Sequence, residues 1–168
     1  MEFIKSYFQA ERYASVVFTL IGLSAAGTGL YSWFMIRKPF YSGLAYPLVL
    51  IGLIELFVGV HIFLRSHEDM ERVENFAVLE SHRILKEEIP RMEYVARSFL
   101  YLRYAELALL AAGVLMMYGL KSDIARGIGL GLFIQASAML AADYFAERRA
   151  DAYRDELKKS VQGMQSVS

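Results

Sequence analysis

Apolar positions along this chain gather into four long runs separated by polar stretches. Residues 13–36 carry no charged side chain at all. Residues 46–64 carry only Glu55 and His61, residues 98–120 only Arg103 and Glu106, and the strongly polar positions of residues 127–145 are Gln135 and Asp143. A helix needs about 20 mostly apolar residues to cross a hydrocarbon core, so each run predicts a membrane-spanning helix. The competing reading, buried helices of a soluble bundle, fits less well, because the two weaker runs place their charges toward one end. The first run exceeds the ~7–15-residue apolar core of a cleaved signal and follows a neutral leader, MEFIKSYFQAER, so it is expected to be retained.

The connections order these helices. IRKPFYSGLAYP is a short loop whose Pro47 suits the first turn of the next helix. KSDIAR is shorter still, with Ser122 or Asp123 placed to cap the fourth helix. Short connections imply antiparallel hairpins. The middle segment, 65–97, is dense in charge, has no glycine and has one proline, Pro90. Its Val78, His82, Leu85, Ile89, Met92, Ala96 and Phe99 recur at spacings of three and four, which predicts one helix face, broken or kinked at Pro90. The segment 146–160 is also expected to be helical, with pairs such as Arg148 with Asp151 and Asp155 with Lys159. QGMQSVS is expected to fray. The fold class is therefore an all-α polytopic membrane protein: a single domain of four antiparallel spans with helical extensions at 65–97 and 146–160.

Composition supports this picture. Of 168 residues, 56% are apolar, above the roughly 45–50% of ordinary soluble domains; mean hydropathy is +0.33. Charged residues still make up 21%, and the net charge is zero. No basic patch argues for nucleic acid as a partner. With no cysteine, disulfides, thiolate metal sites and thiol nucleophiles are excluded. Lys and Arg concentrate in the N-terminal segment, the middle segment and the tail, which predicts a cell-membrane protein with both termini and the middle segment cytoplasmic. Tyr31, Trp33, Phe34, Phe40, Tyr41 and Tyr46 fall at the outer boundary; Tyr101, Tyr104, Tyr144 and Phe145 fall near the inner one.

The two hairpins resemble each other. Arg12-Tyr13-Ala14 corresponds to Arg103-Tyr104-Ala105, Gly22 to Gly113, and HIFLRSHEDMER to DYFAERRADAYR. A 2+2 parallel repeat would place a pseudo-twofold axis along the membrane normal. Chance similarity between apolar segments is the alternative, and both stand.

Depth then sorts the polar residues. At ~1.5 Å per residue, Glu55 lies roughly 13 Å inside the second span, close to the midplane, and Gln135 is at similar depth. Arg103, His61 and Asp143, with Arg12, form a layer near the inner boundary, with Glu106 about one turn deeper. Glu55 and His61, six apart, point to different faces. Two readings are open for these residues: hydrogen bonds and ion pairs that set helix register, or ligand and ion-pathway groups. The candidates are Glu55, His61, Arg103, Glu106, Gln135 and Asp143. Gly22/Ala26, Ala25/Gly29, Gly127/Gly131 and Ala138/Ala142 are small-residue pairs suited to close helix contact, within a chain or between chains.

Specific chemistries find little purchase. A bis-histidine haem needs paired histidines, and only His61 lies in a span. Met116-Met117 reads as core filling, and GIGLG opens an apolar run, so it reads as packing. No phosphate loop, dinucleotide fingerprint or nucleophile motif is present. No catalytic residue, metal or cofactor is assigned, and the enzyme question leans to no. The leading expectation is a non-enzymatic structural or interaction subunit that anchors a cytoplasmic helical platform, with the lipid bilayer, a homo-oligomer or a cytoplasmic protein as partners. The alternative is a small transporter, channel or proton-coupled carrier using Glu55 and the Arg103/Glu106 pair.

Overall fold

The computed structural model describes residues 2–79 and 81–165, and side chains apart from those of residues 77–81 and 161–165. The described residues are helical nearly throughout. Helix α1 spans Glu2–Tyr31 and ends in a π-helical turn, Ser32–Ile36. Helix α2 spans Pro39–Leu79, and α3 is a single turn, Ser81–Arg83. A second π-helical turn, Ile84–Glu88, leads into α4, Ile89–Gly119, and α5 spans Asp123–Gln165. Four helices are long and apolar enough to cross a membrane. Large apolar side chains such as Phe57, Leu64 and Leu115 stand more than 60% exposed, which a water-soluble surface would not tolerate as a continuous belt.

The connections differ from expectation. Between the first two long helices only Arg37 and Lys38 are non-helical. Arg37 turns the chain with a left-handed φ of 52°, a conformation uncommon outside glycine, and its Nε donates to the Phe34 carbonyl. Pro39, not Pro47, takes the helix start, where its missing N–H costs nothing. Pro47 lies inside α2, and its ring fills the space beside Gly131. At the fourth helix, Arg126 N–H donates to the Ser122 carbonyl, so Ser122 opens the first turn.

The middle segment is not one helix with one apolar face. α2 and α4 each run out of their apolar parts, and the chain turns back between them at 81–88. Pro90 has no N–H and its ring crowds the carbonyl four residues earlier. The chain accommodates it by widening just before: Ile89 N–H reaches back five residues to the Ile84 carbonyl. Of the expected stripe, Met92 is buried, while His82 and Leu85 are exposed. Val78 lies in α2 with its side chain outside those described, and residues 166–168 of QGMQSVS lie outside the described residues; α5 runs to Gln165. The tail ion pairs also differ. Arg154, not Arg148, holds Asp151 at 3.0 Å, and Lys159 pairs with Glu156. Arg148 instead lies over the Tyr144 ring.

The apolar parts pack as a row, α1–α2–α5–α4, with α4 resting on α5 and barely on α1 or α2. Small residues set each crossing. A Cβ on Gly22 would lie 2.6 Å from the Gly52 carbonyl oxygen and the Leu56 nitrogen; one on Gly113 would lie 2.7 Å from the Gly129 carbonyl oxygen. Gly43 meets the Ile124 backbone, and Gly127 meets the Phe40 carbonyl, so α2 and α5 touch where both begin. At the opposite, charged end, all four long helices close round a core: Ile4, Phe8, Val73, Phe76, Ile84, Met92, Ala150, Tyr153 and Leu157.

Candidate functional site

The polar residues of the apolar part fall into two separate clusters. In the first, Gln135 Nε2 donates to Glu55 Oε2 at 3.0 Å, joining α5 to α2. Both side chains are buried. Glu55 sits at the α1–α2 crossing, its Cβ beside Gly22. The second carboxyl oxygen of Glu55 has no partner among the described residues.

The second cluster lies between α4 and α5. Glu106 is 1% exposed, and neither of its carboxyl oxygens has a hydrogen-bond partner among the described residues. It borders a cavity of about 20 Å³ lined also by Phe99, Arg103, Leu140, Asp143, Tyr144 and Glu147. That is room for one water molecule. Arg103 does not pair with Glu106, although the two are three apart on one helix. Its guanidinium turns outward and binds Glu147 of α5. Gly113, about two turns further along the same face of α4, lets α4 approach the α5 backbone at Gly129.

His61 and Arg12 stand apart from both clusters. His61 is exposed and stacks parallel on Phe57, with ring centroids 6.4 Å apart. Arg12 lies 4.4 Å over the Phe63 ring. The inner layer expected from depth is thus split: Arg103, Glu106 and Asp143 share one cavity, and His61 and Arg12 face outward. Among the described residues no three His, Asp or Glu side chains converge as metal ligands.

Sequence reasoning missed the polar network at the charged end. Glu88 is buried and takes two hydrogen bonds from Arg91, at 2.8 and 2.6 Å, and one from the Tyr153 hydroxyl at 3.1 Å. Tyr153 stacks on Tyr7, centroids 4.1 Å apart. Nearby, Asp69 joins Arg65 and Arg72, and Ser66 donates to Glu11. The i,i+3 spacing of Glu88 and Arg91 was visible; the burial was not, because it depends on α5 returning across the turn. Comparisons with protein families, with curated proteins and with solved structures returned no match.

Proposed function

We propose that this protein is a non-enzymatic integral membrane protein, a structural or interaction subunit that anchors a helical platform at the cytoplasmic surface. In this reading the spans 13–36, 46–64, 98–120 and 127–145 form two antiparallel hairpins, related as a parallel repeat. Both termini and the segments 65–97 and 146–160 lie in the cytoplasm, and the assembly is a homo-oligomer or a complex with a cytoplasmic protein. The observation that carries it is the shared core at the charged end. Nine buried side chains meet there, eight from the four long helices and Ile84 from the turn between α2 and α4, and the Glu88–Arg91–Tyr153 network supports their register. A set of loosely attached tails would need neither; a surface that must hold its shape for a partner needs both.

The test is truncation before Asp151 in native membranes, which removes Tyr153 and Leu157 from the core. Loss of the native assembly, read by blue-native electrophoresis, is the expected result. An unchanged oligomeric state and unchanged protein partners would rule the anchoring reading out. Orientation is checked separately, since the chain has no cysteine. Lys121→Cys is expected to react with an impermeant maleimide from outside intact cells, and Glu71→Cys only after lysis. A second reading, a small carrier or channel, draws on the buried carboxyls Glu55 and Glu106, and unaltered solute flux in Glu55→Gln would count against it.

A further inference from the structure

Glu106 poses a problem that packing does not solve. Its side chain is 1% exposed, it borders the small cavity between α4 and α5, and both carboxyl oxygens lack a donor. An ionised carboxylate there loses its hydration and gains nothing in return. The groups that face it are few. From its own helix comes Arg103, whose guanidinium is bound to Glu147. From α5 come Asp143, Glu147 and Tyr144, and Phe99 and Leu140 complete the wall without a polar side chain. Among the described residues, α4 packs on α5 and barely touches α1 or α2.

We propose that Glu106 and Asp143 together form a proton-binding site, in which one exchangeable proton is held between the two carboxyl groups. Two carboxylates lining one small cavity away from bulk water repel; a single proton converts that repulsion into a charge-assisted hydrogen bond, the O–H of one carboxyl donating to an oxygen of the other. Uptake moves the proton from a hydronium ion in the cavity to a carboxylate oxygen and leaves a neutral water behind; release is the reverse. The cavity has room for the one water this exchange needs. The Arg103–Glu147 pair, half-exposed on the arginine side, forms its outer wall.

A metal ion suits the same residues poorly. Calcium takes six to eight oxygens and magnesium keeps several waters, and the cavity admits one water-sized particle. The third carboxylate, Glu147, is already neutralised by Arg103. The site stands independently of the anchoring reading, which rests on residues at the charged end.

Infrared spectroscopy of the full chain in mild detergent at neutral pH tests it, in H2O and in D2O. The wild type is expected to show a protonated-carboxyl C=O band that shifts in D2O. Glu106→Gln and Asp143→Asn are each expected to abolish it, and Glu55→Gln to leave it in place. A wild type without an exchangeable band overturns the proposal, as does a band that survives both variants. Should neither variant fold, Glu55→Gln decides alone. With the midplane carboxyl removed, an exchangeable band must remain, and its absence or its insensitivity to D2O overturns the site.

Discussion

Phe8→Ala tests whether the charged end is one cooperative core. Phe8 is 1% exposed. Its ring meets Tyr7 and Tyr153 edge-on, with centroids 5.1 and 5.9 Å apart. Truncating a buried phenylalanine to alanine costs about 3–5 kcal/mol, part of it the cavity left behind, and edge-on ring pairs contribute about 0.5–1.5 kcal/mol each within such a loss. If the four helix ends open together, that cost lowers the opening free energy of the whole unit. At ~1.4 kcal/mol per decade, amide exchange across 150–157 should accelerate roughly 10²- to 10⁴-fold, although these residues are far from Phe8 in sequence. Hydrogen exchange read by mass spectrometry in detergent measures it directly. Tyr94→Ala, at a residue 71% exposed, is the control and should leave exchange within about threefold. Protection across 150–157 that stays at the wild-type level in a folded Phe8→Ala protein would refute the shared core, and with it the main support for a platform.

Three further outcomes follow from the packing. Arg91→Met leaves Glu88 with the Tyr153 hydroxyl as its donor; breaking a buried pair costs ~3–5 kcal/mol, and partial exposure of Arg91 brings this toward the lower end. The thermal midpoint in detergent should fall clearly, whereas Lys158→Met, which breaks an exposed pair with Glu93, should move it by less than about 0.5 kcal/mol equivalent. Gly22→Ala pushes a methyl to 2.6 Å from the α2 backbone and should cost ~1–3 kcal/mol in detergent-titrated unfolding, while Gly27→Ala, with nothing within 4 Å, should cost none of it. Gln135→Leu removes the donor to Glu55 and should cost about 0.6–2 kcal/mol in the same assay.

Much of the architecture was legible because lipid imposes length and polarity on each span. The four apolar runs correspond to the apolar parts of α1, α2, α4 and α5, and equal depth brought Glu55 and Gln135 into one pair across 80 residues. What was not legible depends on rotation and return. Periodicity shows that a helix has a face, but not which neighbour takes it. The row α1–α2–α5–α4 therefore had no signature, and His61 turned outward while Arg103 reached Glu147, not Glu106. Prolines misled in the same way: Pro47 has the same local signature as Pro39, and only contact with Gly131 explains its place inside α2. The turn at 81–88 was hidden because apolar spacing of three and four continues across it, with π widening absorbing Pro90.

The two central helices run without interruption from the apolar end to the charged end. α2 has 41 residues and α5 has 43, each more than 60 Å long at about 1.5 Å per residue. They touch backbone to backbone where both begin, at Gly43 with Ile124 and at Phe40 with Gly127. That contact is a fulcrum at one end of two long levers. A change of about 5° in their crossing angle there displaces the far end of α2, some 54 Å away, by about 5 Å. A side chain's width of adjustment in the platform thus corresponds to a tilt that the glycine contact barely registers. The charged-end core, where Val73 and Phe76 of α2 pack with Ala150, Tyr153 and Leu157 of α5, ties the two levers together at their far ends, so a tilt at the glycine contact is a repacking of that core.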